Sequence, residues 1–168
     1  MSIKLNYLKK TSSKSSNLVL FCDEKYSTGG LKKYLSNAEF SYINDLLKTV
    51  DQKKKLLVFE VNSKKKIVLV SIKKSLKTSD VENLGAEFYK KINYGKNSEY
   101  FVISDSIVGK NDNLLGYFLH GLKLKSYEFK KYKTKKDTRL ISINVVGNKN
   151  KPSTQNQLKF KALEEGTF

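Results

Sequence analysis

Two apolar runs, Leu56-Leu57-Val58-Phe59-Glu60-Val61 and Ile67-Val68-Leu69-Val70-Ser71-Ile72, lie so close together that the chain must reverse between them. With their flanks they read as strands over 55–62 and 66–73, joined by Ser63-Lys64-Lys65. Adjacent strands with so short a connection predict an antiparallel hairpin. Everything else in the chain has to be arranged around that unit.

Upstream, Ile3, Leu5 and Tyr7 alternate with polar residues, the pattern of a half-buried strand. A Ser/Lys turn over 11–16 separates it from Asn17–Cys22, a continuous apolar run suited to an inner strand. Gly29-Gly30 opens a short helix around Leu31–Leu35. Ile43, Leu46, Leu47 and Val50 have helical spacing, but a strand begins soon after, so a loop over its edge fits 42–50 equally well. Downstream, Ser79 and Glu82 form a capping-box pair before Val81, Leu84, Gly85, Phe88 and Ile92, the buried stripe of a helix. A strand at Tyr100–Ile103, a helix near Asp112–Lys125 and a strand at Leu140–Val146 follow. Ser153–Glu165 reads as a last helix, capped by Ser153 after Pro152. The order β-β-α-β-β-α-β-α-β-α predicts an α/β fold with a mixed sheet between layers of helices.

The chain has 168 residues, enough for one domain with a real core and no need of disulfides or metals. Its net charge is +17, yet Arg139 is the sole arginine and 32 of the basic residues are lysine. Arginine supplies the bidentate geometry that reads guanine and clamps phosphate; lysine supplies a diffuse positive field. The excess is therefore read as solvated surface rather than as a dedicated nucleic-acid footprint, which would cluster on one face. Cys22, the only cysteine, sits in an apolar run and is expected to be a buried small hydrophobe in a reducing compartment. No apolar stretch approaches the roughly 18–20 residues of a membrane span, and the N-terminus has no signal-peptide core. A cytoplasmic domain is expected.

Catalytic chemistry is hard to find. Asp23-Glu24 follow a strand, a common place for metal ligands, but no second acidic cluster accompanies them. Glu60 lies within an apolar strand and has lysines nearby, but Asn62 stands where a nuclease pattern needs its lysine. His120 is the single histidine, which excludes a multi-His metal site within this chain; packing is its expected role. Gly29-Gly30 is a bare pair, neither a dinucleotide fingerprint nor a P-loop. No catalytic, cofactor-binding or metal residue is assigned.

One segment is distinctive. Leu115, Phe118, Leu119 and Leu122 occupy one helix face, and the run continues as Gly121-x-x-Leu124-x-x-Tyr127-x-Phe129-x-x-Tyr132-Lys133-Thr134-Lys135-Lys136. Two readings fit it. The rings either pack into a helix-to-strand corner with solvated lysines around them, or they form stacking platforms, with Lys130, Lys131, Lys133, Lys135 and Lys136 on phosphates.

The segment resembles the one that closes the N-terminal domain of the leucyl aminopeptidases, the cytosol aminopeptidase family. Gly29-Gly30-Leu31 resembles that family's early helix entry, Lys66–Ser71 its central strand and Ser79–Ile92 the helix after it. The terminal Ala162-x-x-Glu165-Gly166 resembles the start of the helix leading to the catalytic domain. A departure is Ser71-Ile72-Lys73-Lys74, where the family commonly has a glycine-containing turn. The resemblance implies a macro-domain-like three-layer sandwich at 1–150 and the start of a connecting helix at 151–168. It implies a two-metal peptidase as parent, with two divalent cations (zinc or manganese) held in a C-terminal domain absent from this chain. It further implies a non-catalytic role here, with the chain's own catalytic domain and a hexamer of copies as partners and peptides as the parent's substrates. A lysine-rich nucleic-acid-binding module is the alternative. Macro-domain likeness also raises ADP-ribose binding, for which no glycine-rich phosphate loop is visible.

Overall fold

The computed structural model describes residues 2–8, 17–51, 53–92, 98–107, 113–131 and 140–147. Six strands form one sheet: β1 (Ser2–Leu8), β2 (Asn17–Asp23), β3 (Leu56–Asn62), β4 (Lys65–Ile72), β5 (Ser98–Ile103) and β6 (Leu140–Val146). Their spatial order is β1-β6-β5-β2-β4-β3. All neighbours are parallel except β3 and β4, the hairpin anticipated from the two apolar runs. Its turn is Ser63-Lys64, steadied by the Lys64 N–H donating to Asn62 Oδ1 at 2.8 Å.

Three helices pack on the sheet: α1 (Asn37–Leu47), α2 (Thr78–Ile92) and α3 (Leu114–Lys131). On one face Val19, Phe21, Val68, Val70, Val102, Ile143 and Val145 meet the apolar stripes of α2 and α3. On the other, Leu18, Leu20, Cys22, Ile67, Leu69 and Phe101 meet Ile43 and Leu47 of α1 and Leu31. The alternation along β2 and β4 feeds both layers, which is why these strands read as unbroken apolar runs rather than as alternating ones. Aromatic contacts knit the first layer. Phe118 meets Phe21 edge-on at 5.5 Å and stacks on Phe88 at 5.6 Å, and Phe88 meets Tyr100 edge-on.

Several local expectations shift. Of the ambiguous 42–50 segment, 42–47 belong to α1, which begins at Asn37 behind a full capping box, and 48–50 form the turn that leaves it. Ser36 Oγ accepts the Glu39 N–H and Glu39 Oε1 accepts the Ser36 N–H. In α2 the start lies earlier than Ser79, at Thr78, and Asp80 Oδ2 takes the Lys77 N–H at 3.2 Å in place of the expected Ser79 cap. Gly29-Gly30 does open a helix, but as a 3-10 turn over Gly29–Tyr34. The helix expected to end near Lys125 runs on to Lys131, so the passage from helix to strand falls after it, outside the described residues. The expected helix at 153–165, the turn at 11–16 and Tyr132 through Arg139 lie outside the described residues.

Polar side chains pin the strands laterally. Asn6 Nδ2 donates to Asn144 Oδ1 at 2.9 Å, and Asn144 Nδ2 donates to Glu99 Oε1 at 2.6 Å. Asn17 Nδ2 donates to Glu99 O, while its Oδ1 accepts the Lys66 N–H. This ladder ties β1, β6, β5, β2 and β4 in register. Asn144 is buried, so each of its bonds replaces water that it has lost.

Candidate functional site at the carboxyl ends of the parallel strands

In an open α/β sheet, ligands bind outside the carboxyl ends of the strands, where the winding direction reverses. Here β2 is followed by chain leading to the β4 side, while β5 is followed by α3 and then β6 on the other side. The reversal therefore falls between β2 and β5. Their register covers Asn17–Val19 against Tyr100–Val102. Beyond Val19, side chains supply the bonding.

A 3-10 turn, Ser104–Ser106, closes over that gap. Ser106 Oγ accepts the Phe21 N–H at 2.9 Å and donates to Ile103 O at 2.6 Å. Ser104 Oγ donates to Val146 O at 3.1 Å, joining β5 to the end of β6. Gly147 follows with φ +142, and a Cβ there would lie 2.2 Å from Ser104 Oγ and 2.9 Å from Asp105 Cγ. Only glycine combines that backbone with so close a neighbour.

The β2 end is equally tied down. Asp23 Oδ1 accepts the N–H groups of Lys25 (3.0 Å) and Ser27 (2.9 Å). The Ser27 bond, outweighing slight burial and helped by Lys25, holds the Asp23 carboxyl below its ordinary pKa. Tyr26 has φ +55, rare for a bulky residue, and is kept there by a buried ring whose hydroxyl donates to Lys54 O. Thr28 Oγ1 donates to Asn44 Oδ1 at 2.6 Å, fastening the loop to α1.

The reactive groups noted in the sequence are not brought together. Cys22 is buried on the α1 side, with Sγ 3.7 Å from Val70 O; burial, with the Asp23 charge adding to it, pushes its thiol up to about 12. His120 is buried on α3, across the sheet. Glu60, a candidate for burial, is exposed. Among the described residues no group of three His, Cys, Asp or Glu side chains could hold a metal. No helix among them is long and apolar enough to cross a membrane.

The aromatic-lysine segment divides. Phe118 and Leu122 are fully buried, whereas Tyr127 is 38% exposed and stands outside the core. The side chains of Phe129, Lys130 and Lys131 lie outside the described residues, as do Tyr132 and Lys133–Lys136. Exposed lysines occur after β2 (Lys25, Lys32, Lys33), before β3 (Lys53, Lys54, Lys55), after β4 (Lys73, Lys74) and on α2 (Lys90, Lys91). The first three groups share the carboxyl end of β2 and β4, because β3 enters antiparallel beside the exit of β4, whereas Lys64 lies at the opposite end of that hairpin and Lys90 and Lys91 lie on α2.

Sequence reasoning missed Ser104, Ser106, Gly147, Tyr26 and an ion pair in which buried Lys65 Nζ meets Glu39 Oε2 at 2.7 Å. The Ser36/Glu39 capping spacing was readable; the others depend on strand neighbours that only the fold brings together.

The sheet order, with helices on both faces, defines a macro-domain-like α/β sandwich. Solved structures share this fold. A mutant of tomato leucine aminopeptidase aligns with 97% of this chain at TM-score 0.63 and 15% identity, and the chain spans only 36% of that enzyme. The macrodomain of DarG from Thermus aquaticus aligns with 88% of this chain and all of its own at TM-score 0.54 and 10% identity. No family model matches the sequence, and neither does any curated protein.

Proposed function

We propose that this chain is the non-catalytic N-terminal domain of a cytoplasmic two-metal leucyl aminopeptidase, supporting the assembly of its copies. One observation carries the reading: nearly the whole chain superposes on about a third of a leucine aminopeptidase. The local chemistry agrees with a packing role. Cys22 is a buried thiol with a raised pKa, the Asp23 carboxylate is occupied by backbone N–H groups, and His120 belongs to a helix interior. In this reading the two divalent cations, zinc or manganese, and the peptide substrate belong to a catalytic domain that follows. The lysine surface gives at most weak, sequence-indifferent attraction to nucleic acid, steeply reduced by salt.

The test is release of leucine from a chromogenic amide with manganese or zinc added, by this chain alone and by this chain extended through the reading frame that follows it. Activity only in the extended protein is expected. Turnover by the 168-residue chain itself, or none from the extended one, overturns the proposal.

A further inference from the structure

We propose that the outer edge of β3 pairs with β3 of a second copy of this chain, antiparallel, about a two-fold axis at Val58. β3 ends the sheet, and among the described residues no strand covers its outer side. The Ser71 N–H donates to Lys55 O, so Lys55, Leu57 and Phe59 turn their backbone groups toward β4. Leu56, Val58 and Glu60 then turn theirs outward. Tyr42 agrees with that assignment, since its hydroxyl reaches Glu60 O from α1 at 3.5 Å, a long contact that leaves the carbonyl's second lone pair for a strand alongside. A groove runs along this edge, walled by Tyr42, Leu46 and Val50 on one side and Lys91 on the other.

The distribution of charge selects the occupant. β3 has lysines at its entry (Lys53, Lys54, Lys55) and its one carboxylate, Glu60, toward its exit. A parallel copy would set lysines against lysines. An antiparallel copy pairs Leu56 with Glu60 and Val58 with Val58, and places Glu60 diagonally across from the partner's Lys54 on the same face, within reach of long side chains. The edge is complementary to its own reversed copy, and a two-fold arrangement closes after two chains. The net charge of +17 per copy opposes association over longer range. At physiological ionic strength the Debye length is about 8 Å, so distant repulsion is screened while the close Lys54–Glu60 contacts persist. Moderate salt should therefore strengthen the dimer.

The edge pairing goes beyond the aminopeptidase reading and is tested separately from it, by sedimentation of the chain from micromolar to near-millimolar concentration at physiological salt. The wild type should pass from monomer to dimer, with the amides of Leu56, Val58 and Glu60 gaining protection from hydrogen exchange as it does. Val58→Pro removes an outward N–H without touching the β4 ladder, so it should fold, as judged by circular dichroism, and remain monomeric. Glu60→Lys, an exposed change, should also give a monomer, and adding Lys54→Glu should restore the dimer. A wild-type chain that stays monomeric overturns the proposal, as does a dimer that survives both Val58→Pro and Glu60→Lys. Capture of an acidic peptide on this edge by a chain that never dimerises overturns it too.

Discussion

Gly85 of α2 and Gly121 of α3 form a reciprocal crossing in which each backbone occupies the space where the other helix's residue would carry a side chain. A Cβ at Gly85 would lie 1.9 Å from Phe118 O, and one at Gly121 would lie 2.0 Å from Glu82 O. Both obstacles are helix backbone, so a clash can be relieved only by separating the helices. That separation would loosen Phe118 from Phe88 and Phe21 beneath the crossing.

Gly85→Ala and Gly121→Ala are therefore expected to destabilise despite the better helix propensity of alanine. Propensity contributes about 1 kcal/mol in favour of the substitution. Overpacking against backbone costs roughly 1–3 kcal/mol or more, and here it comes with lost aromatic contact. A net loss of about 2 kcal/mol is expected, read as a Tm lowered by roughly 5 °C or more. Gly30→Ala is the control, because a Cβ there meets nothing within 4 Å. Thermal unfolding of the three variants checks the ordering, and an unchanged Gly85→Ala would refute the tight crossing.

The pair of buried Lys65 and half-buried Glu39 makes stability depend on acid. Burial alone would raise the Glu39 carboxyl, but the bonded Lys65 ammonium and the Ser36 N–H together pull its pKa below the ordinary value. A carboxyl with a lowered folded pKa adds stability that is complete above its unfolded pKa, about 4.3, and is lost as pH falls through the folded value. Glu39→Gln should cost about 1–3 kcal/mol at neutral pH, since it takes a charged acceptor away from the buried Lys65 ammonium. It should also flatten the acid limb of the stability curve below roughly pH 4. Urea unfolding at neutral and acid pH measures both, and parallel curves for wild type and variant would remove the pair from the account.

Ser106 occupies the place where β2 and β5 part. Its hydroxyl is the partner of the buried Phe21 N–H, so Ser106→Ala leaves that donor unsatisfied. The expected cost is about 1–3 kcal/mol, against near neutrality for an ordinary exposed Ser→Ala change such as Ser41→Ala. Hydrogen exchange gives the local readout. The Phe21 amide should lose protection well beyond its neighbours, and uniform loss across β2 would instead indicate global destabilisation.

The strands and the two long helices were legible because burial writes a period into the sequence. β2 and β4 are apolar without alternation since both faces are covered, and Val81, Leu84, Phe88 and Ile92 mark one side of α2. The rim was not legible in the same way. Ser104 and Ser106 are ordinary serines until β2 and β6, distant in sequence, are set beside them. Lys65 looked like one more hairpin lysine, and the capping carboxylate of Glu39 that pairs with it is set beside it by the fold. The aromatic-lysine run misled for a related reason. Helical spacing identified Phe118 and Leu122 as core but did not show that α3 continues past Lys125, carrying Tyr127 outward.

Cys22 offers a test of the core by chemistry. Burial, with the Asp23 charge adding to it, raises its thiol to about 12, so the reactive thiolate is scarce at neutral pH. A thiol reagent at pH 8 should modify the native chain only as fast as it unfolds, and at once in denaturant. Because this acid's pKa is raised by folding, its contribution to stability is present below the unfolded value, near 8.5, and is lost as pH climbs toward the folded one. Tyr100, whose hydroxyl is pushed up to about 12 by burial, acts in the same direction from an unfolded value near 10. The Tm should therefore fall progressively above roughly pH 9, and Cys22→Ala should lose the earlier part of that fall while paying for its cavity at all pH values. Rapid modification of the native chain at pH 8, with no unfolding, would show Cys22 to be accessible and the packing of β2 against α1 to be wrong.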